Sequence, residues 1–158
     1  MNIFYLDHNL KKCAEYHVDR HCTKMIIEYA QLLSSAHWMT GGEAPYKLVH
    51  KNHPCSIWTR ESIDNYRWLC ELGIELSKEY TYRYGKFHKS SEVIHWCLDN
   101  EPDLPNIGMT PFRLAMPDEF KCECPIESYR NYYNGGKTHL FKWKERKIPF
   151  FIQKDLVI

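Results

Sequence analysis

The chain has no apolar run approaching the ~18 residues that a membrane-spanning helix requires, so no segment is expected to cross a bilayer. It also lacks the glycine-rich patterns G-x-x-x-x-G-K-S/T and G-x-G-x-x-G, which removes phosphate-loop and dinucleotide-binding folds, and with them any expectation of a cofactor. Charge of one sign is missing too. A formal net charge of +1 excludes the basic imbalance of a histone-like protein, so any nucleic-acid contact must come from a local patch. The cysteines, odd in number at 7 and scattered along the chain, give no disulfide framework. The first residues show no signal-peptide pattern, and a reducing, cytoplasmic compartment is expected. Neither internal repeats nor low-complexity stretches occur.

Metal-ligand spacings are likewise thin. His50, His53 and Cys55 stand close together, as do Cys122 and Cys124, but neither group has the C-x₂-C or H-x₃₋₅-H spacing of a structural zinc site, and no H-E-x-x-H is present. No metal is expected. His53, before Pro54, reads as a loop residue whose imidazole caps the following helix or reaches into a cleft.

What is present is helical periodicity. The 158 residues are expected to form one mainly α domain, with two long helices packed together and long proline-rich loops. An extended lead, NIFYL, precedes a helix-start signal at Asp7 to Asn9. The first helix is expected from Leu10 to about Trp38, kinked near His17, and Gly41, Gly42 and Pro45 then break the chain. A second long helix follows from about Ser56 to Tyr84. Ser90 or Ser91 caps a short helix ending near Asp99, after which four prolines in EPDLPNIGMTPFRLAMP predict an extended loop, a wall or lid. Pro125 fits the first position of a last helix reaching Tyr133, stopped by Gly135–Gly136, with a further helical turn or two before Pro149.

The first helix carries an unusual polar stripe. At 100° per residue His17, His21, Lys24, Glu28, Gln31 and Ser35 fall within about 80° of one another, beside the apolar arc of Val18, Cys22, Met25, Tyr29, Leu33 and Ala36. A carboxylate, an ammonium and imidazoles at the edge of a core are placed for acid/base chemistry. The same spacing also describes a solvated face with an i,i+4 Lys24–Glu28 pair.

On the second long helix Trp58, Leu69, Leu72, Gly73, Leu76 and Tyr80 share a face that also includes Asn65 and Arg83, with Glu61 and Glu79 near its edge. Buried polar groups must be paired. Either an internal network such as Glu79–Arg83 satisfies them, or they line a cleft with His21, Lys24 and Glu28 that a phosphate or base edge completes. Two clusters interleave cations with rings: Arg83, Lys86, His88 and Lys89 among Tyr80, Tyr82, Tyr84 and Phe87, and Arg130 and Lys137 with Tyr129, Tyr132 and Tyr133. Such interleaving suits a stackable, phosphate-bearing ligand, DNA or a nucleotide.

Asp19-x-His21-x₆-Glu28, a long aromatic helix after a loop, and the C-terminal Tyr/Arg/Tyr-Tyr/Gly/Lys segment together resemble the pyrimidine-dimer DNA glycosylases of the endonuclease V type. That resemblance implies a compact helical domain gripping damaged duplex DNA. Glu28 would be the catalytic acid and His21 its neighbour, with Tyr129, Arg130, Tyr132, Tyr133 and Lys137 near the lesion. In that family the nucleophile is the α-amine of a small second residue; here residue 2 is Asn2, which keeps Met1 in place, and Ile27 and Gln31 stand where arginines flank the family's glutamate. The stretch from HKNHP to EYTYRYGK also resembles small proteins of tailed phages and large DNA viruses, for which the compartment would be the host cytoplasm.

Three classes of function are therefore open. The first is an enzyme acting on a nucleobase or glycosidic bond of DNA, with Glu28, His21 and Lys24 as its catalytic groups. Asn65, Arg83, Lys86, His88, His53, Tyr129, Arg130, Tyr133 and Lys137 would then hold the nucleic acid. The second is a binder that sequesters a small nucleotide with the same residues, and the third a structural, partner-binding helical domain.

Overall fold

Asn9 opens the first helix: its side-chain oxygen accepts the N–H of Lys12 at 2.9 Å, and α1 (Leu10–Tyr16) follows. The computed structural model describes residues 1–156, which form six α-helices and, among the described residues, no strand. The expected kink near His17 is a complete break. His17 and Val18 are extended, and the first helical N–H groups of the next helix, α2 (Asp19–Met39), find partners elsewhere in the molecule. The N–H of Val18 donates to the Tyr133 hydroxyl at 3.2 Å and that of Asp19 to the Lys142 carbonyl at 2.8 Å. Such outside partners make the break stable, because exposed or buried helix ends otherwise leave orphan donors.

The second long helix is also two. Ser62 sits at φ −150° and ψ 157°, ends α3 (Pro54–Glu61) and caps α4 (Ile63–Tyr84) by accepting the Asn65 N–H at 3.0 Å. The Ile63 N–H is taken by the Pro105 carbonyl of the proline-rich loop. His53 caps α3, its Nδ1 accepting the Cys55 N–H at 3.1 Å. Gly85, at φ 69°, closes α4 in the left-handed conformation that glycine adopts without strain.

The long helices α2 and α4 lie against each other, and α1, α3 and α5 (Ser91–Asp99) complete the packing around them. Tyr29, Leu32, Leu33, Trp58, Tyr66, Leu69, Leu72 and Leu76 are sealed in one contiguous core. The proline-rich loop lays Phe112 over this layer, stacked on Tyr5 at 4.0 Å and on Trp58 at 4.6 Å between ring centroids.

The last helix, α6 (Pro125–Gly136), runs through both glycines instead of ending before them. The reason lies in what presses on their backbone. A Cβ on Gly135 would collide with the Phe120 ring, and one on Gly136 would lie 2.8 Å from the Tyr132 ring. The further helical turn expected before Pro149 is a single 3₁₀ turn, Thr138–Leu140.

Candidate functional site

The first six residues form no strand, yet side chains from other elements grip them at several polar groups. Asn2 donates to the Ala115 carbonyl at 2.6 Å, and its oxygen accepts the Tyr129 hydroxyl at 2.8 Å. The Phe4 N–H donates to the Tyr29 hydroxyl, the Phe4 carbonyl accepts the Cys13 thiol, and Arg130 Nε donates to the Leu6 carbonyl. Ile3, Phe4 and Leu6 are buried. Chain termini ordinarily fray. This one is threaded into the core, and it carries the α-amine of Met1 to within 3.3 Å of Glu28 Oε1, with the side chains of Met1 and Glu28 only 6% and 14% exposed.

Around this ion pair the structure builds a polar recess of about 150 Å³, lined by Met1, Asn2, Phe4, His21, Lys24, Met25, Glu28, Tyr132 and Lys137. The helix spacing explains part of the assembly: His21, Lys24 and Glu28 project from one side of α2. The far wall comes from the end of α6, where Lys137 Nζ lies over the Tyr132 ring at 5.0 Å from its centroid. Lys24 and Lys137 make no ion pair among the described residues, so the recess offers three cationic groups against one carboxylate. The His21 ring stacks on Phe4 at 4.1 Å and bonds through Nδ1 to the Tyr133 hydroxyl at 2.8 Å. Burial first, then the charges of His17, Lys137, Lys24 and Arg20, push its pKa down to about 2 and leave it neutral.

Of the residues read from the sequence, Glu28, His21, Lys24 and Lys137 come together here. Tyr133 and Tyr129 stand directly behind them, fully buried, the one holding His21 and the other Asn2. His53 lies close enough that the α-amine and Glu28 act on it, although burial is the larger cause of its lowered pKa.

The remaining candidates do not join the recess, and the cleft expected to unite Asn65 and Arg83 with Glu28 is not formed. Asn65 is sealed in the core, donating to the Trp58 carbonyl at 2.8 Å and to Thr110 Oγ1 at 2.7 Å while accepting the Thr110 N–H. Arg83 is consumed by Glu79, Asp19 and the Glu15 carbonyl, in a buried network to which Arg146 adds a second cation. Arg130 binds Asp7 and lies over the rings of Phe150 and Phe151. His88 joins Nε2 to the Thr23 carbonyl and accepts the Ser90 N–H. Lys86 is exposed beyond the end of α4. The proline-rich loop clamps Asn2 through Ala115 but contributes nothing to the lining, so it is neither wall nor lid of this recess.

Larger clefts, of about 440, 500 and 540 Å³, lie along α1, and one of about 450 Å³ lies between α2 and the segment Pro45 to Val49. Several of their charges are paired internally: Lys12 with Glu15, Lys78 with Glu75, and Arg146 with Glu79 and Glu15. The smaller recess sets cations and a carboxylate beside a perturbed, buried imidazole, a combination the larger clefts lack, and on chemical grounds it is the candidate site. Among the described residues no three His, Cys, Asp or Glu side chains are grouped as a metal ion requires, and no helix is long and apolar enough to cross a membrane.

Sequence reasoning missed Met1, Asn2 and Phe4. The apolar lead NIFYL marks a buried extended segment without saying where its end is delivered, and the family resemblance brought up an α-amine only at a small second residue, which Asn2 is not. Compared with protein-family models, with curated proteins and with solved structures, the chain matches none.

Proposed function

We propose that the protein acts on a glycosidic bond of DNA, with the α-amine of Met1 as nucleophile and Glu28 as its acid/base partner. One observation carries this reading: a terminus fixed by four elements delivers its amine to a carboxylate in a cation-rich recess. Core stability alone does not require an amine there, since an ion pair of this kind contributes little once its desolvation is counted.

The chemistry follows from the groups present. An amine becomes a nucleophile when it gives up a proton, and the Glu28 carboxylate beside it is placed to take that proton. The nitrogen lone pair attacks C1′ of the deoxyribose as the C1′–N bond to the base breaks, and the base leaves with the bonding pair and takes up a proton. Glu28 accepts the proton released by the amine and stabilises the positive charge that develops on the sugar. Opening of the sugar ring, with O4′ taking a proton, leaves C1′ joined to the nitrogen as an imine. Lys24 and Lys137 hold the flanking phosphates.

Size favours DNA over a free nucleotide. Pockets for whole small-molecule ligands span ~300–1,000 Å³, whereas this recess of about 150 Å³ admits one sugar or one base edge, with the remainder of the substrate outside. A polymer that presents a single flipped-out nucleotide meets that condition. The test is incubation with duplexes carrying abasic sites, pyrimidine dimers or hypermodified bases, followed by analysis of released bases and strand breaks. Release or breakage that disappears in Glu28→Gln supports the reading. Stoichiometric binding of a nucleotide, with no DNA altered, would replace it with the sequestering role.

A further inference from the structure

Two tyrosine–histidine couples flank Phe4, and their hydrogen bonds determine where each imidazole keeps its proton. In the first, His17 Nδ1 lies 2.7 Å from the Cys13 carbonyl, which only accepts, so Nδ1 carries the proton. Nε2 of that neutral ring must then accept, and at 2.9 Å it receives the Tyr29 hydroxyl proton, while the Tyr29 oxygen accepts the Phe4 N–H. Burial, the largest influence, holds this ring neutral by pushing its pKa down to about 4.

The second couple has the same logic with the ring turned round. The Tyr133 oxygen accepts the Val18 N–H at 3.2 Å, and Tyr133 is fully buried with His21 Nδ1, 2.8 Å away, as the acceptor within reach of its hydroxyl proton. Were Nδ1 protonated, the tyrosine oxygen would face two donors and its own proton would have no partner, a loss on the scale of an unsatisfied buried group. His21 Nε2 makes no hydrogen bond among the described residues. Nor is it sealed from solvent, for Ser34 Oγ alone combines full enclosure with the lack of a partner among them. His21 lines the recess, so that opening is where Nε2 faces.

We propose that Tyr133 is a positioning residue: by donating its hydroxyl proton to Nδ1 it fixes His21 with its single proton on Nε2, on the edge that the recess presents to substrate. His21 is thereby a neutral donor, suited to an oxygen acceptor of the substrate and unable to act as a general base from that edge. Stacking on Phe4 keeps the ring plane fixed while the tyrosine fixes the tautomer. The inference concerns the site assigned above, and its role for Nε2–H rests on that assignment; the tautomer itself is decided without any substrate.

The experiment is a ¹⁵N spectrum of the free protein with ring-labelled histidine, read beside that of Tyr133→Phe. Expected is a His21 ring with protonated Nε2 and bare Nδ1 in the parent, and loss of that pure tautomer in the variant. A parent spectrum with the proton on Nδ1 overturns the proposal, whether or not Tyr133→Phe folds. Binding of an abasic-site duplex supplies the second readout. Glutamine places an amide donor where Nε2 stood and asparagine places one where Nδ1 stood. His21→Gln should therefore stay within ~3-fold of the parent affinity, and His21→Asn should lose ~10-fold, the worth of one hydrogen bond. Equal losses in both variants count against the donor role. A parent that ignores every duplex yet shows protonated Nε2 removes the DNA reading and leaves the tyrosine lock standing.

Discussion

The α-amine of Met1 and the carboxylate of Glu28 stand 3.3 Å apart, 27 residues distant in sequence, because the buried lead carries the one to the polar edge of the helix that bears the other. If the carboxylate acts on charge that develops only in the transition state, its removal spares binding. Glu28→Gln should keep its affinity for an abasic-site duplex within about twofold and lower the single-turnover rate ~100-fold or more. Equal loss of affinity and rate would instead mark Glu28 as a binding group.

Lys24 and Arg83, both candidates from the sequence, should part company. Lys24→Ala and Lys137→Ala each remove an unpaired cation from the recess, and each should reduce the slope of log affinity against log salt by ~1 with little effect on folding. Arg83→Ala leaves Glu79 to Arg146 alone and takes the guanidinium from Asp19, and should cost ~1.5–3 kcal/mol in a denaturant titration. A destabilisation near zero would contradict the internal network.

Gly136 is a packing residue of the site. A methyl group there meets the Tyr132 ring, which forms the recess wall beneath Lys137. Gly136→Ala should cost ~1–3 kcal/mol through overpacking, and the displaced ring should weaken DNA binding as well. Unchanged stability would show that the ring yields freely.

Stability should fall in mild acid before the carboxylates titrate. His17 has a native pKa near 4 against an unfolded value near 6.5, so below about pH 6.5 the unfolded chain binds a proton that the native one refuses. Its contribution is complete above pH 6.5 and declines as pH drops toward 4, amounting to about 3 kcal/mol over the window. His21 shifts in the same direction. Urea midpoints measured from pH 7.5 to 5 should therefore drop in the parent and drop less in His17→Gln. A flat parent profile over that range would refute the buried neutral histidines.

Much of the helical layout was legible from periodicity, since Leu69, Leu72, Leu76 and Tyr80 do face the core. The break at Ser62 had a local signal, a serine N-cap with Asp64 in the first turn, which the continuous apolar pattern from Trp58 onward masked. Gly135 could not be read correctly, because the Phe120 ring that requires it arrives from outside the helix, whereas Gly136 answers to Tyr132 four residues before it. Of the site, the α2 stripe was visible because helical spacing brings His21, Lys24 and Glu28 to one side. Asn65 and Arg83 were rightly marked as buried groups needing partners. Glu79 is the i,i+4 partner that spacing offered to Arg83, whereas Thr110 and Asp19 are partners brought by long-range folding. The lead NIFYL signalled burial, but nothing local placed the Met1 amine beside Glu28.

Reductive trapping tests the central claim most directly. An imine between the protein and C1′ is fixed by borohydride, and peptide mapping then identifies the nitrogen that carries the sugar. With an abasic-site duplex the adduct should map to residue 1, vanish when the α-amine is acetylated, and form at least ~100-fold more slowly in Glu28→Gln. An adduct on Lys24 or Lys137, or none under conditions where the duplex is bound, would contradict the assignment of the Met1 amine as nucleophile.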